Sequence, residues 1–423
     1  MAKTFVEKIL SRERSVSAGE ILEIKPDFAM SHDNTAAIAK TFRQIGIKKI
    51  DKPDRHIVIL DHCVPAANEK FAQNHKEIRE FIKEQKIDHF YDIDRGICHQ
   101  VICEEGFALP GKIIVGSDSH TTTYGAFGAF ATGIGRSEMA AIFATGKIWF
   151  RVPETIKITI KGKIPAAISA KDIILKIIGD LKADGALYKS VWFAGPVVEE
   201  MSIAGRMVLT NMAVEMGAKN GHIEPDAKTA AYLKNRARVH YKPQYSDPDA
   251  RIEENYEFEI SDLEPQIACP HTVDNVKPAS RVKGTKIDQI FFGSCTNARL
   301  EDFKIVADVL RNKKIHNHLR MVVIPASNQI YLQALQAGYI KDLIEAGAVL
   351  VNPGCGPCMG NHQGVLAPGE VTLSTSNRNF KGRFGCKESE IFLSSPLTAA
   401  VSALTGQIED CRDFIKSSGG KHV

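Results

Sequence analysis

The sequence predicts an α/β protein with more than one domain. Its 423 residues exceed the roughly 250–300 residues at which a single hydrophobic core stops growing, so two or three domains are expected. In the first third of the chain, strand-like apolar runs at 57–60 and 112–116 alternate with helical spacing at 74–86. This alternation is typical of sheets covered by helices.

Two changes along the chain divide it into three predicted domains. Near residue 152 the pattern changes to an alternating strand at 155–161, followed by a helix at 170–181. From 234 to 278 the chain is polar and rich in proline, which indicates a surface crossover. A last α/β segment starts near Val282. The predicted domains are residues 1–152, 153–278 and 279–423.

Composition and charge disfavour several classes of function. The 54 basic and 50 acidic residues leave a net charge of only +4, and no block of like charges is present, so nucleic-acid binding has no support. No run of ~18 apolar residues predicts a membrane helix, and the N-terminal segment is unlike a signal or transit peptide. We expect a cytoplasmic protein that binds neither nucleic acid nor a membrane.

Five short apolar runs end abruptly in polar clusters. In open α/β sheets, ligands bind outside the carboxyl ends of the strands, so we expect these clusters to meet at one cleft. Any one of them alone is an ordinary junction between a strand and a loop, but the five together favour a site. The clusters are Asp61-His62 and residues 116–120, 293–297, 352–355 and 374–378.

The cysteines are the most informative residues. Nine cysteines without a secretion signal favour free thiols or metal ligands over disulfides. Cys355 and Cys358 form a CxxC pair, and Cys295, also at a strand end, is a candidate third ligand. A CxxC also serves zinc ribbons and dithiol redox sites, but a ribbon needs a second ligand pair and a dithiol site needs no third cysteine. Three thiolates suit a four-iron cluster with one open iron.

The other six cysteines are more often small buried apolar side chains than ligands. Cys63, next to Asp61-His62, is the one with the strongest claim to another role. These six are Cys63, Cys98, Cys103, Cys269, Cys386 and Cys411.

An open iron can act as a Lewis acid on a substrate hydroxyl and a neighbouring carboxylate. Elimination of water then needs a general acid, a base for the carbon-bound proton and cations near the carboxylates. Asp61-His62 and Asp118-Ser119-His120 are candidate acid–base pairs, while Arg378 and Arg383 can each bind a carboxylate through two hydrogen bonds. An Asp–His pair is more often purely structural, however, and the arginines could be a solvated basic face.

Four segments resemble the signature sequences of the aconitase superfamily. The match continues in order from about Asp27 to about Ile408. The resemblance implies three α/β/α domains with mainly parallel sheets packed around a central iron–sulfur cluster. The segments are Gly-Ser-Asp-Ser-His-Thr at 116–121, Gly-Ser-Cys-Thr-Asn at 293–297, Pro-Gly-Cys-Gly-Pro-Cys-Met-Gly at 353–360 and Ser-Asn-Arg-Asn-Phe-Lys-Gly-Arg at 376–383.

The resemblance also implies a role for each site residue. One [4Fe-4S] cluster per chain, with one open iron, would be held by Cys295, Cys355 and Cys358. Acid–base roles fall to Asp61, His62, His99, Asp118, His120 and Glu215. Substrate contacts fall to His32, Ser119, Asn211, Asn377, Arg378 and Arg383. His32 stands where aconitases use a substrate-binding glutamine, which argues against aconitase itself.

Length and layout are similar to those of the separate large subunits of isopropylmalate dehydratases and homoaconitases. Single-chain aconitases continue into a swivelling domain with a serine base and a substrate arginine, whereas this chain ends about forty residues after Arg383. We therefore expect that domain on a small subunit, in a heterodimer or heterotetramer.

The resemblance implies a hydro-lyase that acts on a small di- or tricarboxylate. The expected reaction interconverts 2- and 3-isopropylmalate in leucine biosynthesis, and homoaconitate and dimethylmalate are alternative substrates. Two other classes are disfavoured. A cluster-free RNA-binding protein conflicts with the small net charge and the missing domain, and a closed electron-transfer centre conflicts with the lack of a fourth cysteine motif.

Overall fold

The computed structural model describes residues 2–12 and 14–417, and it confirms the α/β class. Met1, Glu13 and residues 418–423 lie outside this range, so the outer limits of the first and last predicted domains fall on residues that are not described. The strands of the described part form three main sheets and one two-stranded ribbon. In that part, no helix combines the length and the apolar character needed to cross a membrane.

The first sheet is fully parallel and has five strands. In spatial order these are His89–Tyr91, His56–Ile59, Phe28–Ser31, Ile113–Gly116 and Phe130–Gly133. Its helices are Phe5–Leu10, Thr35–Gln44, Glu69–Gln85, Cys98–Glu104 and Arg136–Thr145. The ribbon pairs Ile21–Ile24 with Ile148–Arg151 in the antiparallel sense.

The helix Glu69–Gln85 shows why these residues fold as predicted. Asn68 caps its first turn by accepting a hydrogen bond from the backbone N–H of Phe71, and Lys86 ends it in the left-handed conformation. Ile78 and Phe81 lie on its buried face, three residues apart. The helical spacing at 74–86 is therefore confirmed.

The second sheet is also parallel and has four strands. In spatial order these are Asn220–His222, Ser190–Ala194, Thr155–Lys161 and Glu254–Glu259. Its helices are Ala170–Leu181, Pro196–Glu200, Ile203–Met212 and Ala227–Leu233. The strand predicted at 155–161 and the helix predicted at 170–181 are both confirmed.

The third sheet has seven strands, of which the first two are antiparallel to their neighbours. In spatial order they are Val276–Pro278, Gln266–Ala268, Glu390–Leu393, Val371–Ser374, Gln289–Phe292, Arg320–Val323 and Val349–Leu350. Its helices are Leu300–Leu310, Asn328–Gln336, Tyr339–Ala346, Pro396–Thr405 and Cys411–Ser417.

The predicted crossover at 234–278 is wrong for its second half. The strand Glu254–Glu259 forms the edge of the second sheet, and Gln266–Ala268 and Val276–Pro278 pair into the third sheet, ahead of the predicted boundary at 278. The strands Glu254–Glu259 and Val276–Pro278 are polar edge strands, and Gln266–Ala268 has only three residues, so their sequences resemble loops. The domain limits themselves stay predictions.

A close contact between the first two sheets positions the site. The 3-10 helix Ser119–Phe127, which follows the strand Ile113–Gly116, packs under the helix Ile203–Met212. A Cβ atom on Gly125 would lie 1.7 Å from the carbonyl oxygen of Gly221, so only glycine permits this approach. The Thr210 hydroxyl donates to the carbonyl oxygen of Thr123 at 2.9 Å across the same junction.

The stability of the hydrophobic core around the first sheet should be sensitive to the loss of a single aromatic ring. Phe143 is fully buried, stacks on Phe81 at 5.9 Å and meets Phe42 edge to face at 6.2 Å. Phe143→Ala should destabilise the fold by about 3–5 kcal/mol, because it leaves a cavity. Leu332→Ala, at a side chain that is 55% exposed, should stay near the wild type in urea denaturation. Equal losses in the two variants would contradict this description of the core.

Candidate active site

Each of the five predicted polar clusters follows a strand of the structure, and the clusters meet at one site, which we call the cleft. The backbone N–H of Cys355 donates to the carbonyl oxygen of Asp61 at 2.7 Å. His62 lies 3.6 Å from Asp118, and Asn377 lies 3.3 Å from the sulfur of Cys295. The cleft thus joins loops from the first and third sheets, as expected from the topology of parallel sheets.

Asp33 holds the loop that carries the first acid–base pair. Its buried carboxylate accepts hydrogen bonds from the backbone N–H groups of Asp61, His62 and Cys63 at 2.9, 2.9 and 3.1 Å. His75 contacts the same carboxylate at 3.0 Å. Burial raises the pKa of Asp33, but the hydrogen bond from His75 and the charge of His62 outweigh it, so the net pKa lies below its ordinary value.

The sequence assigned no role to Asp33. The available signal was its position directly after the strand Phe28–Ser31, beside His32.

His62 lies between two carboxylates. Its Nδ1 is 2.6 Å from Asp61 Oδ1, and its Nε2 is 3.6 Å from Asp118 Oδ2. Burial alone would lower the pKa of His62, but the neighbouring Asp61 and Asp118 raise it well above the ordinary value. Asp61 is held in turn by the backbone N–H of Cys98 at 2.8 Å. The two carboxylates therefore favour the protonated form of His62, which has a proton to donate.

Asp118 organises two further histidines. Its Oδ1 contacts His99 Nε2 at 2.8 Å and accepts the backbone N–H of His120 at 2.8 Å. The other ring nitrogen of His99 contacts the Tyr124 hydroxyl at 3.0 Å. Burial opposes ionisation of Asp118, but His120, His62 and His99 hold its pKa well below the ordinary range. Ser119 follows Asp118 as the first residue of the 3-10 helix.

A second set of contacts connects His120 through Glu215 to Arg378, which follows a strand of the third sheet. Nε2 of His120 is 2.9 Å from Oε1 of Glu215, and the same oxygen accepts from Nε of Arg378 at 2.8 Å. Burial raises the pKa of Glu215, but His120 and Arg378 lower it below its ordinary value overall. Arg378 keeps its terminal nitrogens free of this contact, in a side chain that is 23% exposed. It can therefore bind a carboxylate from the cleft.

Two of the three predicted cluster cysteines accept hydrogen bonds at sulfur, whereas the thiol of Cys355 faces the carboxylate of Asp61 at 3.6 Å. Asn211 and Asn377 donate to the sulfur of Cys295 at 3.2 and 3.3 Å. Arg383 donates to the sulfur of Cys358 at 3.4 Å. Donors aimed at sulfur favour thiolates, yet burial raises the pKa of Cys295 to about 12. The pocket therefore suits thiolates that a metal centre neutralises.

The three thiols together are not as closely spaced as the ligands of a single metal ion. Among the described residues, two groups have ligand atoms that all lie within 4.8 Å of one another, and the three cysteines together are not one of them. These groups are His99 with His120 and Cys295, and His32 with Asp33, Asp61 and His62. One zinc ion binds each thiolate at about 2.3 Å, so its ligands would lie closer together. A polynuclear cluster spans a wider set of ligands.

The loop of the CxxC pair is pressed against the first domain. A Cβ atom on Gly354 would lie 2.8 Å from both the carbonyl oxygen of Asp61 and a methyl group of Val64.

Two buried polar atoms beside the thiols, Oδ1 of Asn377 and Nε of Arg383, have no protein partner. These atoms are available to a group bound in the cleft.

His32 lies on the other face of His62. The two rings stack with centroids 3.7 Å apart, and Nε2 of His32 contacts the carbonyl oxygen of Ser117 at 3.3 Å. Burial and the charge of His62 lower the pKa of His32 to about 4, so the ring is neutral. Its buried Nδ1 has no protein partner.

The structure therefore brings together His32, Ser119 and all the charged and thiol residues predicted for the site. Their catalytic and binding roles stay predictions. Arg378 and Arg383 contact Glu215 and Cys358 and do not form a solvated basic face. Of the six other cysteines, Cys63, Cys98, Cys103, Cys269 and Cys411 are buried as expected. The prediction was wrong for Cys386, which is half-exposed in the loop before the strand Glu390–Leu393 and contacts Glu388.

Several known proteins are similar to this chain. A sequence profile of the aconitase family (aconitate hydratase) matches residues 7–283 and 272–406. The chain is 51% identical over 98% of its length to the whole of 3-isopropylmalate dehydratase large subunit 1 of Methanopyrus kandleri. It is 53% identical over 91% of its length to 98% of a probable methanogen homoaconitase large subunit of Methanosarcina mazei.

One solved structure has a similar fold. It is the holo-form of aconitase X from Thermococcus kodakaraensis, which matches 87% of this chain and 88% of its own with a TM-score of 0.51. At 15% identity this likeness shows the fold alone.

The Asp33 anchor can be tested by removing its charge. Asp33→Asn should destabilise the fold by about 3 kcal/mol or more, because one amide cannot accept three backbone hydrogen bonds and its N–H group would face donors. Asp94→Asn, at an exposed carboxylate of the same domain, should leave the urea midpoint unchanged. Equal midpoints for Asp33→Asn and the wild type would contradict the anchor.

The same carboxylate predicts a dependence on pH. The folded-state pKa of Asp33 lies below the unfolded value of about 3.9, so its stabilisation is present above pH ~4 and is lost as the pH falls below that value. The gap in stability between the wild type and Asp33→Asn should therefore narrow on acidification from pH 6 to pH 3. A gap that stays constant would show that Asp33 does not titrate as described.

Proposed function

The chain belongs to the aconitase family, and on that basis we propose that it is the large subunit of a two-subunit iron–sulfur hydro-lyase. The proposed reaction interconverts 2-isopropylmalate and 3-isopropylmalate by dehydration and rehydration. The observation that carries this proposal is the convergence of three thiols with the Asp61–His62–Asp118 ion triad in one cleft. The proposed cellular location is the cytoplasm.

Cys295, Cys355 and Cys358 would hold a [4Fe-4S] cluster. When bound, such a cluster supplies an electrophilic iron that weakens the bond between carbon and the leaving hydroxyl. Asn211 and Asn377 stabilise the thiolate of Cys295, and Arg383 stabilises that of Cys358. These neutral and cationic donors offset the negative charge of the thiolates.

His62 is the group best placed to protonate the departing hydroxyl. Asp61 fixes its ring through Nδ1, and Nε2, which lies 3.6 Å from Asp118, carries the proton to be donated. As the carbon–oxygen bond breaks, His62 gives this proton to the hydroxyl, which leaves as water. A base on the small subunit takes the carbon-bound proton, so the two electrons of the carbon–hydrogen bond form the double bond. Water then adds back across the double bond with its hydroxyl on the neighbouring carbon, and no net oxidation occurs.

Arg378 is positioned to bind a substrate carboxylate. Its Nε is held by Glu215, which leaves the terminal nitrogens for the substrate. His120, on the other side of Glu215, links this contact to Asp118. A cation in this position would stabilise the charge that develops on the carboxylate during proton abstraction.

Homoaconitase is the second candidate function. The observation in its favour is the relative in Methanosarcina mazei, which is named a probable methanogen homoaconitase large subunit and is as similar to this chain as the isopropylmalate dehydratase subunits. Both readings require the same cluster and the same acid–base residues. They differ in the side chain of the substrate.

The small subunit is proposed from the relatives as well. Those named large subunits of isopropylmalate dehydratase are covered over essentially their whole length by this chain. We propose a heterodimer or heterotetramer in which the small subunit supplies the base and completes the substrate pocket.

Replacing a cluster ligand tests the cofactor. Cys355→Ser should lose the visible absorbance of the cluster and the activity together, because serine is a poor ligand for iron in such clusters. Cys386→Ser, at the half-exposed cysteine, should keep both. An active Cys355→Ser enzyme without a cluster would refute the proposed cofactor.

Replacing His62 tests the proton donor. His62→Gln should lower kcat by about 10²–10⁴-fold, because glutamine keeps hydrogen bonds but donates no proton. The cluster absorbance should not change. His240→Gln, at an exposed histidine, serves as the matched control. A kcat for His62→Gln within threefold of the wild type would exclude this role.

A panel of acids separates the two candidate substrates. With the cognate small subunit, we expect the highest kcat/KM for isopropylmalate among isopropylmalate, homocitrate, citrate and dimethylmalate. The large subunit alone should show little turnover. A preference for homocitrate would establish the second candidate, and full activity without the small subunit would contradict the division of the site.

A further inference from the structure

A fully buried lysine near the site has no part in the proposed chemistry. Lys171, in the helix Ala170–Leu181, has no exposed surface. Its Nζ donates to the backbone carbonyl oxygens of Thr375 and Ser376 at 2.8 and 2.5 Å. The carboxylate of the next residue, Asp172, is engaged elsewhere, because it accepts hydrogen bonds from Ser169 and from the backbone N–H of Gln266.

The two carbonyl groups belong to the turn that carries the site residues of the third sheet. This turn, residues 375–378, follows the strand Val371–Ser374. Its far end carries Asn377, which donates to the sulfur of Cys295, and Arg378, which donates to Glu215. Lys171 therefore holds the turn through two of its backbone carbonyl groups.

The charge of Lys171 is costly where it lies. Burial lowers the pKa of Lys171 to about 7, although Asp172 acts in the opposite direction. An apolar side chain of similar length would fill the same space without the desolvation of an ammonium group. What the ammonium adds is a charged donor that can bind two carbonyl oxygens at once, and such hydrogen bonds are roughly twice as strong as neutral ones.

We infer that Lys171 is a positioning residue, which fixes the turn at 375–378 so that Asn377 meets Cys295 and Arg378 meets the carboxylate of the substrate. Lys171 contacts neither the substrate nor the reacting atoms, and it acts through Arg378. The kinetic consequence rests on the proposed function, because it requires a carboxylate substrate in the cleft.

The first test compares Lys171→Met with Lys171→Arg in the reconstituted complex of large and small subunits. Lys171→Met should raise KM for isopropylmalate about tenfold or more and change kcat less than threefold, because a misplaced Arg378 weakens binding. Iron content should match the wild type. Lys171→Arg keeps charge and donors and should recover at least part of the affinity. An unchanged KM for Lys171→Met would overturn the inference.

Lys219→Met is the matched control. Lys219 is a half-buried lysine of the same domain whose ammonium lies over the rings of Phe150 and Tyr188, remote from the turn. Its replacement should leave KM unchanged. An equal rise in KM in Lys219→Met and Lys171→Met would assign the effect to general loosening of the domain and overturn the inference.

A double-mutant cycle shows whether Lys171 acts through Arg378. In an Arg378→Lys background, where the two-point contact with the substrate is already lost, Lys171→Met should change KM less than twofold. Additive effects of the two substitutions would mean that Lys171 does not act through Arg378, which overturns the inference. If both Lys171 variants failed to fold, the role of Lys171 would be purely structural, and this result would also overturn the inference.

A measurement without substrate separates this inference from the proposed function. In the large subunit, the backbone amides at 376–378 should exchange hydrogen at least tenfold faster in Lys171→Met than in the wild type and in Lys219→Met, with exchange elsewhere unchanged. An inactive wild-type complex on every acid of the panel would refute the proposed function. Unchanged exchange at the turn would refute the role of Lys171.

Discussion

The carboxylate of Asp33 is the contact on which the cleft depends. By accepting three successive backbone N–H groups, it fixes the loop at 61–63, and with it the ring of His62 and the carboxylate of Asp61. The carbonyl oxygen of Asp61 in turn accepts a hydrogen bond from the backbone N–H of Cys355. The loop that carries two thiols is therefore held in a fixed position beside the first sheet. One buried charge from the first sheet thereby aligns groups on the third.

Alternating carboxylates and histidines extend this alignment across all three sheets. Carboxylates and histidines follow one another from Asp61 through His62 and Asp118 to His120 and Glu215, and the chain ends at Arg378. Each carboxylate has its pKa lowered by its neighbours despite burial. Because these carboxylates and histidines contact one another in succession, the site is organised in advance for an acid–base reaction.

Much of the site could be predicted because its residues follow apolar runs that end abruptly, a local pattern that survives in a single sequence. Cys295, Cys355 and Cys358 were found in this way. Asp33 and Lys171 were not, since their contacts are with residues 28–42 and 204–205 positions away. The strands at 254–259 and 276–278 were missed because short polar edge strands carry no continuous apolar face, and the buried strand at 266–268 because it has only three residues.

The central claim is that the three thiols hold a cluster with one iron open to the substrate. Mössbauer spectroscopy of the complex reconstituted with ⁵⁷Fe tests it most directly. On addition of isopropylmalate, the signal of one iron of the cluster should change in isomer shift and quadrupole splitting, while those of the other irons stay constant. Turnover with no change at any iron would contradict the account, since the substrate would then react without contact with the cluster.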